Sequence, residues 1–234
     1  MADLHDLLSD VAARASDYRA GVRDVAVFPR GEPAAAVRAG LGALRDEGAG
    51  PAIVLAELAA AAEPGLVATT GPRYFGFVVG GALDAATAAD MLAVAWDQPA
   101  FNAVTSPAAA VVEDVAGAWL KEVLGLPGTA SVGFVTGGQG ANTVGLAAAR
   151  HRVLADAGWD VEQDGLGGAP AIRVLATGER HATIDRALRL LGLGTGALRP
   201  VPTDEQGRST SLRSPAHWTT VHRDRSSSAC RRAT

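Results

Sequence analysis

The chain has 234 residues, 48% of them apolar and 20% charged, so it can bury the core of one large domain or two small ones. Its formal net charge of −4 argues against general binding to nucleic acid or anionic membranes, and small molecules or proteins are the expected partners. The single cysteine, Cys230, excludes an internal disulfide framework. We expect no leader or membrane span and a cytoplasmic location.

The first 65 residues carry apolar side chains at helical spacing, beginning with a stripe that includes Leu4, Leu8 and Val11. Two later helices each begin with a proline, which the first turn of a helix tolerates because its N–H has no partner there. The three helices are predicted over residues 3–18, 33–46 and 51–62. Residues 1–65 are thus predicted to form a helical N-terminal arm.

Residues 66–81 are extended and rich in glycine, and they group Tyr74, Phe75 and Phe77 in a short space. From the residues alone, this segment is a loop whose aromatic side chains enter the core. Helices are then predicted over residues 84–96 and 106–124. Ser106 suits the N-cap of the second helix, because its hydroxyl can accept a hydrogen bond from a free amide of the first turn.

Residues 131–150, SVGFVTGGQGANTVGLAAAR, predict a short buried strand, a glycine turn and a helix that begins near Gly140. Gly137, Gly138 and Gly140 allow the backbone to adopt positive φ and leave the backbone amides uncovered. With the positive end of a helix dipole behind it, such a turn suits an anion such as phosphate. From the residues alone, an anion site and a purely structural turn both remain open.

Three well-known glycine loops are excluded at this position. A Walker A loop needs lysine and a hydroxyl residue where the chain has Leu146 and Ala147. A dinucleotide fingerprint needs small residues where Asn142 and Thr143 stand. A nucleophile elbow needs a serine, and the sequence between the glycines offers only Gln139.

Beyond the glycine turn, strands alternate with helices. A buried strand is predicted over residues 171–177, a helix over 184–191 and a further short strand near Val201. This alternation indicates βαβ units and a largely parallel sheet, whose ligands bind at the carboxyl ends of the strands. The glycine turn and residues 179–181 both follow strands, so we expect them at the same edge.

The segment 134–150 resembles the glycine loop of the pyridoxal-5′-phosphate (PLP)-dependent group II amino-acid decarboxylases, the family of aromatic-amino-acid, glutamate and histidine decarboxylases. Supporting segments follow in the family's order: PRYFGFV at 72–78, NAVTSPAAAVVEDVAGAWL at 102–120, GLPG at 125–128 and ERHATIDRALRLLGLG at 179–194. The resemblance implies an α/β fold, namely an incomplete fold type I (aspartate-aminotransferase-like) large domain after a helical N-terminal segment. One departure stands out: the family's usual Ser-Glu is Gln139-Gly140 here, which removes a hydroxyl that helps hold the phosphate.

The resemblance also implies a cofactor and its contacts. PLP is the expected cofactor, with Gly137, Gly138 and Gln139 at its phosphate. His181 is expected to stack on the pyridine ring of PLP and to shape the acid/base chemistry. No His or Cys spacing suggests a metal site.

For the substrate, the resemblance implies an amino acid, with Tyr74 and Phe75 at the substrate entrance. The complete enzyme is expected to be a homodimer in which the N-terminal helices of one subunit pack onto the partner subunit. Packing of these helices on their own chain is an equally open alternative. Residues 66–207 correspond to the first half of the PLP-binding domain. Residues 208–234 are predicted to be an irregular tail. A frameshift in the gene is favoured as the explanation of its sequence over a genuine basic tail.

The family holds PLP as a Schiff base to a lysine that lies downstream of the histidine. The only lysine here, Lys121, lies upstream of the glycine turn, where we expect a solvated helix face. The chain is therefore predicted to be a truncated PLP-dependent decarboxylase (a carboxy-lyase) that is inactive as written. Another fold type I enzyme, such as an aminotransferase or an aldehyde lyase, and a non-catalytic phosphate-binding or dimerising fragment remain as alternatives.

Overall fold

The computed structural model describes residues 3–210, so the predicted tail lies outside the described residues from position 211 onward. The chain forms two compact units, of which the first ends at Pro99 and the second begins at Ala100. The predicted division at residue 65, which follows the family pattern, stays a prediction. Among the described residues, no helix has both the length and the apolar character needed to cross a membrane.

The first unit contains the predicted helices. They are α1 (Leu4–Gly21), α2 (Pro33–Leu41), α3 (Pro51–Ala62) and α4 (Asp84–Trp96). The Asp3 carboxylate caps α1 by accepting a hydrogen bond from the Asp6 amide at 2.9 Å. The α2 helix ends earlier than predicted, because Gly42 leaves the helical conformation with φ 66°. Helices α2 and α3 pack so closely that a Cβ at Gly40 would lie 2.8 Å from the Cβ of Ala61.

The segment that joins α3 to α4 begins with a short 3-10 helix, Glu63–Gly65, and continues as turns and irregular backbone. Tyr74 is partly buried against Phe28, with ring centroids 6.0 Å apart. Phe75 and Phe77 are about nine-tenths exposed (91% and 90%), so the prediction that the aromatic cluster enters the core is wrong for both. Phe77 and Val78 adopt positive φ (54° and 51°), a conformation that bulky and β-branched side chains rarely take.

The second unit begins with a long helix that Ser106 caps as predicted. The Ser106 hydroxyl is buried and accepts a hydrogen bond from the Ala109 amide at 3.1 Å. The α-helices described in the second unit are α5 (Pro107–Leu124), α6 (Gly138–Asp156), α7 (Val161–Asp164) and α8 (Ala182–Leu190). The sequence did not predict α7; this single turn forms because the Asp160 carboxylate accepts hydrogen bonds from the amides of Glu162 and Gln163.

The described part of the sheet consists of two parallel strands, β1 (Val174–Thr177) and β2 (Leu198–Val201), with Val174 opposite Leu198. Because α8 lies between them in the chain, they form the predicted βαβ unit. The predicted strand over residues 131–136 is not formed, since this segment pairs with no other described segment. The Phe134 amide donates instead to the Glu113 carboxylate at 3.4 Å.

The core of the second unit lies between α6 and α8. Leu154 on α6 and Ala187 and Leu188 on α8 are completely buried. Burial of apolar side chains at this contact holds the two helices together. The α6–α8 contact therefore keeps these two helices side by side.

We expect Leu188→Ala to lower the free energy of unfolding by about 2–5 kcal/mol, because it removes a fully buried side chain and leaves a cavity. Leu190→Ala is the matched control: Leu190 lies on the same helix but is 71% exposed, so its loss should change stability by less than about 0.5 kcal/mol. Urea unfolding followed by circular dichroism measures both. Equal losses for the two variants would show that α8 does not pack as described.

Candidate functional site

The glycine turn begins helix α6 without using positive φ. Gly137 is the N-cap residue and has an extended backbone (φ 166°, ψ 173°), while Gly138 and Gly140 are already part of the helix. The turn therefore does not use the positive φ that these three glycines allow. What glycine contributes here is the absence of a side chain.

Three backbone amides at the start of α6 have no hydrogen-bond partner among the described residues: those of Gly138, Gln139 and Gly140. The first helical bond runs from the Ala141 amide to the Gly137 carbonyl at 3.0 Å, and no side chain caps the helix. The amides lie at the positive end of the dipole of a 19-residue helix. Such an end attracts an anion.

The space at the turn is open on one side and closed on the other. A Cβ at Gly137 or Gly138 would meet no atom within 4 Å. A Cβ at Gly140 would lie 3.4 Å from the Cβ of Val135, so this glycine lies close to the preceding segment. The Cβ positions of Gly137 and Gly138 therefore face open space, while that of Gly140 faces Val135.

His181 lies just beyond the carboxyl end of β1 and is the N-cap residue of α8. Its Nδ1 atom accepts a hydrogen bond from the Thr183 amide at 3.3 Å and lies 3.0 Å from the Thr183 hydroxyl. The residue as a whole is exposed. The ring is thus held over the first turn of α8 while remaining accessible.

Thr183 joins the glycine turn to His181. Its side-chain oxygen accepts a hydrogen bond from Asn142 Nδ2 at 2.7 Å, and its carbonyl accepts one from Gln139 Nε2 at 3.3 Å. Thr183 is only 7% exposed. Sequence reasoning missed Thr183 and Asn142; the available signal was that Gln139 and Asn142, three residues apart, share one face of α6.

Helices α6 and α8 run in the same direction. Their first turns are joined through Thr183, and farther along Arg150 Nη1 of α6 donates to the Leu191 carbonyl at the end of α8 at 3.0 Å. Both amino ends, and hence both positive dipole ends, lie at the carboxyl edge of β1. The structure thus brings together the two site elements that the sequence predicted, the glycine turn and His181.

The Gln139 side chain is not free to hold an anion. Its Nε2 atom donates to the Thr183 carbonyl and to the Thr143 hydroxyl, at 3.3 Å and 3.2 Å. Its Oε1 atom is buried without a partner among the described residues and, being an acceptor, would repel an anion. Gln139 can therefore contribute to anion binding only through its backbone amide.

Two other sets of predicted residues lie elsewhere. Tyr74 and Phe75 belong to the first unit, and their role at the substrate entrance stays a prediction. Lys121 is not a freely solvated side chain: its Nζ atom donates to the carbonyls of Gly128 and Ala130, at 2.9 Å and 3.1 Å. It fixes the segment that follows α5.

The site chemistry suits a phosphate monoester joined to an aromatic ring. Free amides at the glycine turn fit the phosphate, and the accessible imidazole of His181 fits the face of a ring. Within residues 3–210, no group of three or more His, Cys, Asp or Glu side chains is arranged to hold a metal ion.

Comparison with known proteins gives matches along most of the chain, although no protein-family model matches it. The chain is 30% identical to tryptophan decarboxylase 1 of Oryza sativa subsp. japonica over 220 residues, which is 86% of this chain and 40% of that protein. The crystal structure of Oryza sativa TDC with PLP matches with a TM-score of 0.72 and 28% identity, covering 87% of this chain and 44% of that one. Mouse CSAD in apo form has a TM-score of 0.76 at 23% identity, covering 88% and 43%, and so supports the fold alone.

The fold is that of the fold type I PLP enzymes, as predicted. These matches support the predicted family: the chain corresponds to an N-terminal portion of the PLP-dependent group II amino-acid decarboxylases. It spans about two fifths of the length of the relatives that it matches.

We expect Lys121→Met to lower the free energy of unfolding by about 1–3 kcal/mol, because it removes two charge-assisted hydrogen bonds while keeping most of the apolar stem. Glu122→Gln is the control, since it changes a charge on an exposed neighbour. Urea unfolding measures both variants. An unchanged midpoint for Lys121→Met would mean that the contacts to Gly128 and Ala130 do not stabilise the chain.

Proposed function

We propose that this chain supplies the phosphate-binding turn and the ring-stacking histidine of a PLP-dependent amino-acid decarboxylase. One observation carries the proposal: three free amides at the start of α6 lie beside a histidine that caps α8, and Thr183 joins the two. Similarity to the decarboxylase family supports the same assignment.

Each part of the site has a defined task. The amides of Gly138, Gln139 and Gly140 would hold the phosphate through charge-assisted hydrogen bonds. The His181 ring would stack on the pyridine ring and limit the access of water to it. When bound, PLP serves as the electron sink that lets the α-carboxylate of an amino acid leave as CO₂. Gln139 replaces the family's serine, so the phosphate receives no hydroxyl from this position.

The lysine that bonds the cofactor is not supplied by the residues of this chain. Its single lysine is Lys121, whose Nζ atom is already hydrogen-bonded to two carbonyls. We therefore propose that the chain alone does not decarboxylate amino acids. The complete enzyme would act on an amino acid as a homodimer, with Tyr74 and Phe75 near the substrate. A non-catalytic phosphate-binding chain is the second candidate, favoured by the engagement of Lys121.

We expect Gly138→Val to weaken binding of pyridoxine 5′-phosphate, because a β-branched side chain would occupy the open space beside the amides. Loss of one charge-assisted contact corresponds to about 1.5–3 kcal/mol, or roughly ten- to a hundredfold in Kd. This ligand has no aldehyde, so calorimetric titration reports non-covalent binding only. Pyridoxine, which lacks the phosphate, should bind equally weakly to both proteins.

Gly145→Val is the matched control for this experiment. It places the same side chain on the same helix, about 10 Å farther along, where a Cβ also meets no atom within 4 Å. His181→Ala should weaken the binding of pyridoxine 5′-phosphate and of pyridoxine alike, so the preference for the phosphorylated ligand should not change. If Gly138→Val folds and keeps that preference, the turn is not the phosphate site.

We expect no specific covalent product when the chain is mixed with PLP and reduced with borohydride. The Nζ atom of Lys121 is held by the carbonyls of Gly128 and Ala130, so it should be labelled no faster than the lysine of an unstructured peptide. Peptide mass mapping measures the extent of labelling. A stoichiometric pyridoxyl group on Lys121 would falsify the proposal that the bonding lysine lies elsewhere.

A further inference from the structure

We infer that Thr183 is a positioning residue that couples the orientation and tautomer of the His181 ring to the glycine turn. The inference concerns a residue that touches neither phosphate nor ring in the proposed function, on which it rests. Thr183 receives hydrogen bonds from two side chains of α6, those of Gln139 and Asn142, and gives hydrogen bonds to His181.

The donors and acceptors around the Thr183 hydroxyl leave one consistent arrangement. Asn142 Nδ2 donates to the hydroxyl oxygen at 2.7 Å, so the hydroxyl proton is available for His181 Nδ1, 3.0 Å away. The Thr183 amide points at the same nitrogen at 3.3 Å. A proton on Nδ1 would be directed at the hydrogen of this amide, and the two N–H groups would repel each other. The neutral ring is therefore held with Nδ1 as acceptor and its proton on Nε2.

The position of Thr183 also sets the distance between the two binding elements. Its carbonyl is fixed to the Gln139 side chain, and the Gln139 amide is one of the three free amides at the turn. Any movement of the amino end of α6 relative to α8 has to stretch these bonds. Because Thr183 is 7% exposed, water cannot readily replace the lost partners. The ring and the phosphate-binding amides are thus held in one fixed relation.

The first experiment needs no ligand. Histidine labelled with ¹⁵N is incorporated into the whole chain, and the five histidines are observed by NMR at a pH at which they are neutral. A His181→Asn variant identifies the His181 signals. In Thr183→Val the hydroxyl is lost but the shape is kept. Because the hydroxyl no longer holds Nδ1 as an acceptor, we expect the two neutral tautomers of His181 to mix, so that the ¹⁵N shifts of its two ring nitrogens move toward each other.

Two further variants separate positioning from general loss of structure. Thr183→Ser keeps the hydroxyl and should retain the wild-type His181 spectrum. Asn142→Ala removes the donor to that hydroxyl from a partly exposed helix position, so it should change the His181 shifts in the same direction even if Thr183→Val fails to fold. Unchanged His181 signals in Asn142→Ala and in a folded Thr183→Val would overturn the inference.

The second experiment measures Kd for pyridoxine 5′-phosphate and for inorganic phosphate. Thr183→Val should raise the Kd for pyridoxine 5′-phosphate by roughly two- to tenfold, which corresponds to the loss of one ordinary hydrogen bond. The Kd for inorganic phosphate should not change. Thr183→Ser should match the wild type. An equal loss for both ligands would mean that Thr183 supports the turn and does not position the ring. If the wild-type chain binds neither ligand but the NMR shifts change as expected, the proposed function fails and the coupling to His181 stands.

Discussion

The site depends on one hydrogen-bonded residue at the start of α8. Thr183 is nearly buried and bonded on one side to Gln139 and Asn142 and on the other to His181. Apolar burial between α6 and α8 holds the helices together, but it is non-directional and tolerates small sliding movements. The bonds at Thr183 are directional. They convert a packed pair of helices into a site in which three amides and one imidazole have a defined separation.

Local signals in the sequence were sufficient for most helices. The ends of α3 and α4 agree with the prediction, and Ser106 caps α5 as its sequence context indicated. These features depend on residues a few positions apart, so the sequence contains the necessary information. The strand over residues 131–136 failed because a strand also requires a neighbour, and no described segment pairs with it. The same limit applies to Phe75 and Phe77, whose exposure depends on what packs against them.

The site could be predicted only in part. The glycines and His181 were found because each stands in a recognisable local pattern. Thr183 was not, because its partners on α6 lie about forty positions earlier in the chain and periodicity says nothing about such contacts. Of the two reasons for glycine that the sequence suggested, only the uncovered amides apply, since the turn does not use a left-handed backbone. Several apolar side chains of α5, including Trp119 and Val123, are largely exposed, and nothing in their spacing along the helix indicated this.

The composition of the glycine turn has a consequence for how binding responds to acidity. Residues 136–142, TGGQGAN, contain no ionisable side chain, so the attraction for an anion comes from peptide groups and a helix dipole, which do not titrate. A phosphate monoester gains its second negative charge with a pKa of about 6. For the phosphate site proposed above, the turn itself therefore adds no titrating group, and loss of the second proton of the ligand raises the affinity as the pH increases.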